Sequence, residues 1–185
     1  MMKDNLSFDD IPYFSIIIPT KNRSHLISEA VKSVLLQDFS DYEVIIIDND
    51  DTDETEKVIK KFSDERIRYH RTGGLSMVEN WEEGVKISIG KYLTVLEDKM
   101  SFRCRALSQM RKIIEDNGSN ILVWGISSAP VENSVSSQVD IFKVDSHTLV
   151  LDYVEGKNPW KKLPRLINSC VSRNLLKEDS LIHKN

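Results

Sequence analysis

Between residues 14 and 124, short β-branched apolar runs alternate with stretches of helical periodicity, and this alternation limits the possible folds more than any other feature. The first run, Phe14-Ser-Ile-Ile-Ile-Pro19, is almost wholly apolar, as a strand covered on both faces must be. Val44-Ile-Ile-Ile47, a weaker run from Ile67 to His70, Tyr92-Leu-Thr-Val-Leu96, and Ile121 to Trp124 follow it. Between the first two, Ser24 opens a helix with Leu26, Ile27, Ala30, Val31, Val34 and Leu35 on one face. A shorter helix starts at Thr52 or Asp53 and buries Val58, Ile59 and Phe62. Ser76 and Glu79 make a capping box for a third, with Met77, Trp81 and Val85 on its inner stripe. Ser101 caps a fourth, and Gly118 stops it. Repeats at roughly 25–30 residues have the length of a βαβ unit. The expected fold class is therefore α/β, an open and mainly parallel sheet with helices on both faces.

In such sheets ligands bind outside the carboxyl ends of the strands. Three of those ends are polar here: Pro19-Thr-Lys-Asn22, Asp48-Asn-Asp-Asp51 and Glu97-Asp-Lys99. The topology brings all three to one edge, which makes that edge the candidate site. Beyond Trp124 the periodicity loosens. Residues 127–137 read as a polar loop, 138–144 as an edge strand, 146–154 as a short helix, and the tail from Ser172 as another. The expected organisation is a tail over residues 1–13, an α/β ligand-binding domain over 14–126, and a partial extension over 127–185.

A net charge of −4 and the absence of a basic stripe argue against a nucleic-acid partner. No apolar run approaches the roughly 18 residues of a membrane helix, so no transmembrane segment is expected. The polar, acidic start is unlike a signal peptide, and Cys104 and Cys170 form neither a metal motif nor a disulfide framework. Together these point to the cytoplasm. The four histidines have no ligand spacing, and Trp160, after Pro159, reads as packing.

The acidic stretch Asp48 to Glu54 lacks the central glycine and spacing of a calcium loop. Asp50, Asp51, Asp53 and Glu54 read as strand-end and helix-start residues. Asp48 differs: it ends a buried strand, where a carboxylate needs a partner such as a ligand N–H. No glycine-rich phosphate loop follows the first strand. A bound diphosphate would then need a metal or fixed cations, and Glu97 and Asp98 offer hard oxygen ligands. An exposed strand end explains those two carboxylates equally well.

Several stretches together resemble family 2 glycosyltransferases: Ser15-Ile-Ile-Ile-Pro-Thr-Lys-Asn-Arg23, Val34-Leu-Leu-Gln37, Glu43-Val-Ile-Ile-Ile-Asp-Asn49, Thr52-Asp53 and Gly90-Lys-Tyr-Leu-Thr-Val-Leu96. Leu75-Ser-Met-Val-Glu-Asn-Trp81 is similar to one branch of that family. The resemblance implies a GT-A fold, nucleotide-diphospho-sugar transferase-like, and an inverting transfer to a glycan or lipid-linked acceptor in cell-surface polysaccharide or glycan synthesis. It also implies a place at the inner face of the membrane. Carried over by position, Pro19, Thr20 and Asn22 line the nucleotide pocket with Arg23 nearby, and Asp48 accepts from the base. Asn80 falls where a donor contact is often found. Glu97 contacts ribose or a metal-bound water, and Asp98 stands mid-motif, with Mg²⁺ or Mn²⁺ as the implied cofactor.

Two departures qualify the resemblance. Lys99 stands where the family has the last Asp of its metal motif, and a lysine cannot ligate the ion. It can face the diphosphate as a fixed charge; the rivals are that Asp98 takes over as ligand, or that the site is inactive. Second, the family's catalytic base follows a segment resembling Leu163-Pro-Arg-Leu-Ile-Asn-Ser169, and Glu178-Asp179 matches it only superficially. The catalytic residue is unassigned. The alternatives to a transferase are a non-catalytic or truncated donor-binding module and, less well supported, a nucleotidyltransferase.

Overall fold

The computed structural model describes residues 11–123 and 169–176. The strands are β1 (Phe14–Thr20), β2 (Tyr42–Asp48), β3 (Ile67–Arg71), β4 (Tyr92–Val95), β5 (Ile121–Val123) and β6 (Ser169–Ser172). The helices are α1 (Ser24–Leu35), α2 (Glu54–Ile59), α3 (Met77–Ile87) and α4 (Ala106–Asn117). They build one six-stranded sheet in the order β3-β2-β1-β4-β6-β5. β1 runs parallel to both β2 and β4, and β2 parallel to β3. The α/β class and the mainly parallel sheet are as the sequence predicts.

Alternation along the strands assigns the two faces. Ile16, Ile18, Val44 and Ile46 pack with Ile27, Ala30, Val31 and Val34 of α1 and with Leu107, Met110 and Ile114 of α4. Ile17, Ile45, Ile47, Leu93 and Val95 face the other way, toward Val85 of α3. Gly84 lets that helix come close, because a Cβ there would stand 2.6 Å from Ile17 Cγ2. At the amino ends, Glu43 accepts hydrogen bonds from Ser15 Oγ (2.6 Å), Ile89 N (2.7 Å) and Arg68 Nη1 (2.5 Å).

The structure corrects several local expectations. Of the expected helix in the tail from Ser172, the described residues carry a single 3-10 turn, Arg173–Leu175, while residues 169–172 form β6, antiparallel between β4 and β5, and 177–185 lie outside the described residues. A four-residue strand flanked by polar residues carries no local signal, and its place in the sheet comes from its neighbours. Neither Ser24 nor Ser101 acts as a cap. Ser24 is already the first helical residue of α1, and α4 begins later, after Arg105 in a left-handed conformation (φ 62°). The Ser76–Glu79 capping box is present, and Gly118 ends α4 with φ 59°. Met77, expected on the inner stripe of α3, is 67% exposed. The buried face runs instead through Asn80, Gly84 and Val85. Asn80 meets the backbone of Ile47 near the end of β2, so the turn before it projects past the sheet. The expected loop, edge strand and helix over 127–154, and Trp160, lie outside the described residues.

Candidate functional site

The strand order turns back at β1: the chain leaves it for β2 and β3 on one side and returns to β4 on the other. A crevice at such a switch point is where doubly wound sheets take ligands. Thr20 and Asp48 stand side by side there as the last register pair of β1 and β2. The chain leaving β4 brings Asp98 to the same place. Thr20 Oγ1 donates to Asp98 Oδ2 at 2.9 Å, and Arg23 Nη1 donates to Asp98 Oδ1 at 3.2 Å. Asp98 is 2% exposed, so its charge is compensated inside the protein, whereas half of the Arg23 side chain faces solvent.

The β2 end is tied down in the same manner. Asp48 is fully buried; its Oδ1 accepts from the Asp50 backbone N–H at 3.0 Å and its Oδ2 from the Tyr69 hydroxyl at 2.5 Å. Burial raises the Asp48 carboxyl above its ordinary range, and the bonds from Tyr69 and Asp50 pull part of the way back. Burial and the adjoining Asp48 likewise raise the Tyr69 phenol. Asn22, in the left-handed region at φ 54°, donates its backbone N–H to Asp50 Oδ1, and Thr55 Oγ1 donates to Asp50 Oδ2 at 3.1 Å. Asn tolerates that backbone conformation better than most residues.

Asn80 bridges two elements. Its Oδ1 accepts from Thr72 Oγ1 at 2.6 Å and its Nδ2 donates to the Ile47 carbonyl at 3.3 Å. Thr72 also donates its N–H to the Asp48 carbonyl at 2.8 Å. Asn49 exchanges hydrogen bonds with the backbone of Leu75, at 2.7 and 3.0 Å. The β3–α3 loop is thus fastened across the end of β2.

The structure brings the expected residues into two joined groups: Thr20, Arg23 and Asp98, and, linked through Asp50 and Thr72, Asn22, Asp48 and Asn80. Pro19 lies buried in β1 opposite Ile47. Glu97 and Lys99 flank Asp98 in the chain and pair with each other at 3.6 Å. Sequence reasoning did not single out Tyr69, Thr72, Thr55 and Asn49. Nothing local marks them, because their partners lie in other elements. It had given Asp50 a plain strand-end role, whereas its carboxylate holds the β1–α1 loop to α2.

A divalent ion would draw on Glu97 and Asp98, and their contacts do not suit that task. Both oxygens of Asp98 face internal donors, Glu97 faces a lysine, and no group of three potential ligands forms among the described residues. The exposed groups at this end of the sheet include the guanidinium of Arg23 and the ammonium of Lys99, each about half exposed (50% and 53%).

Among solved structures, the Staphylococcus aureus protein TarS (residues 1–349), determined in complex with UDP-GlcNAc, matches 90% of this chain and 47% of its own, with a TM-score of 0.66 and 19% identity. The mannosyltransferase PcManGT from Pyrobaculum calidifontis, in complex with GDP-Man and Mn²⁺, matches 61% of this chain and 35% of its own with a TM-score of 0.55 and 19% identity. Likeness at such identities establishes the fold. Among sequences, a GalNAc(5)-diNAcBac-PP-undecaprenol beta-1,3-glucosyltransferase of Campylobacter jejuni is 33% identical over 104 residues, 54% of this chain and 34% of the relative. A PGL/p-HBAD biosynthesis glycosyltransferase of Mycobacterium tuberculosis is 29% identical over 118 residues, 62% of this chain and 46% of the relative. The chain therefore spans less than half the length of either. The family model for Glycosyl transferase family 2 matches residues 15–176, most of the 185-residue chain, including every residue of the switch-point site: the chain belongs to glycosyl transferase family 2.

Proposed function

We propose that this chain binds a nucleotide-diphospho-sugar at the carboxyl ends of β1, β2 and β4 and transfers the sugar, with inversion, to a hydroxyl of a glycan or lipid-linked acceptor. The observation that carries the reading is the Thr20–Asp98–Arg23 cluster joined across the switch point to buried Asp48. In the transfer, the acceptor oxygen bonds to the anomeric carbon and the bond from that carbon to the diphosphate oxygen breaks. The electron pair leaves with the nucleoside diphosphate, and the acceptor proton passes to a general base.

On this reading Pro19, Thr20 and Asn22 shape the nucleotide pocket, and Glu97 reaches the ribose. Asp48 accepts from the base once the Tyr69 hydroxyl turns aside. Asn80 has both polar atoms engaged within the protein, so it holds the loop beside the donor. The UDP-GlcNAc and GDP-Man complexes of structural neighbours support a nucleotide-sugar donor. The undecaprenol in the name of the Campylobacter relative supports a lipid-linked acceptor and a place at the inner face of a membrane. No helix among the described residues is long and apolar enough to cross one. Lys99, in place of a metal-binding carboxylate, favours a second reading, a donor-binding module without turnover.

A thermal-shift series with UDP-GlcNAc, UDP-glucose and GDP-mannose tests donor binding. A ligand at a hundredfold excess over its Kd adds about 2.7 kcal/mol, which raises the melting temperature of a chain this size by several degrees. Release of nucleoside diphosphate from the stabilising donor separates the two readings: turnover supports the transferase, and binding without it supports the module. A flat melting temperature with every donor would sink both.

A further inference from the structure

The strand-end carboxylates and cations have a charge balance of their own. A site with two carboxylates and a divalent ion sums to zero, and so do Glu97, Asp98, Arg23 and Lys99. Asp98 is too enclosed to hold an ion, because Thr20 and Arg23 take its two oxygens at 2.9 and 3.2 Å. It acts instead as an internal strut that fixes the Arg23 side chain, leaving further guanidinium N–H groups for a ligand. Lys99, one residue on, meets Glu97 at 3.6 Å, beyond normal hydrogen-bond length, and is half exposed. Exposed pairs of that kind contribute little, so an incoming phosphate displaces the contact easily.

We propose that Arg23 and Lys99 together replace a divalent cation here, so that this chain binds a nucleoside diphosphate without metal. The inference rests on the donor reading above and adds how the charge of the diphosphate is met. Guanidinium suits paired phosphate oxygens, and an ammonium acts as a point charge beside them. Both cations lie at the strand ends, where no glycine-rich amide cradle follows β1.

The test is calorimetric titration of the full chain with UDP and with GDP, once with EDTA and once with excess Mn²⁺, repeated with UMP and GMP. The affinity for the bound diphosphate is expected to agree within about twofold between the two conditions. Lys99→Gln is expected to weaken the diphosphate about tenfold, the scale of one charge-assisted contact, and the monophosphate much less. Its melting temperature should stay unchanged, since among the described residues Lys99 meets only Glu97, at 3.6 Å. Arg23→Gln is expected to weaken the diphosphate by a similar factor. Binding that needs Mn²⁺, or a Lys99→Gln chain that binds as tightly as the parent, overturns the inference and leaves the donor reading standing. Failure of both diphosphates with and without Mn²⁺ overturns both.

Discussion

Asp48 shows how one buried carboxylate couples the site to solvent pH. Burial raises its carboxyl above the ordinary value of 3.8, against the pull of Tyr69 and the Asp50 N–H. The folded chain therefore holds this proton more tightly than the unfolded one. Between about pH 4 and the raised value, unfolding releases a proton, and the contribution of Asp48 to stability falls as pH rises. In Asp48→Asn the amide can accept from Asp50 and donate to the Tyr69 oxygen without titrating. Chemical denaturation at several values from pH 4 to 7 should show the parent losing stability relative to Asp48→Asn as pH increases. A difference that is flat, or that moves the other way, contradicts the burial argument. At the same scale, the roles of Asp50 and Thr72 are not written in their neighbours, because each takes its meaning from partners 5 to 28 residues away.

Among the elements, α3 and the turn into β4 are seated by two glycines that play unequal parts. At Gly84 an added Cβ would meet Ile17 Cγ2 and Ile47 Cγ1, at 2.6 and 3.0 Å, buried side-chain atoms of stiff β-branched residues that can give only in part. At Gly90 it would meet the Ser15 backbone nitrogen at 2.6 Å and the Phe14 carbonyl carbon at 2.7 Å, which cannot give. Gly90 also donates its N–H to Ser15 Oγ at 2.7 Å, and its carbonyl accepts from Arg173 Nε at 2.7 Å. Gly90→Ala is expected to cost about 3 kcal/mol, the upper part of the usual overpacking range, and Gly84→Ala clearly less. Urea denaturation of both variants orders them, and equal losses would refute the distinction between backbone and side-chain crowding. The capping box and the Gly118 stop were legible from sequence because both are local. The exposure of Met77 was not, since it depends on where the sheet beneath α3 ends.

In the molecule as a whole, β6 joins β5 to the rest of the sheet. Cys170 pairs with Thr94 on one side and with Leu122 on the other, so among the described strands β5 reaches the sheet through β6. Arg173 fastens the following turn to Gly90 O and Ser88 Oγ, at 2.7 and 2.8 Å. A chain ended at residue 168 should lose hydrogen-exchange protection at Ile121–Val123 while the β1–β2–β3 ladder keeps its own. Unchanged protection at β5 would count against this account. Periodicity and strand-end polarity in the sequence determined the alternating α/β order, the buried character of β1 and β2, and the edge where Thr20, Asp48 and Asp98 meet. All of these depend on residues close together in the chain, or on the handedness of crossovers. Tertiary structure alone decided that β6 enters the sheet antiparallel, that Tyr69 meets Asp48, and that Asp98 turns inward to Thr20 and Arg23. Each of those joins residues 21 to 80 positions apart, where no local pattern reaches.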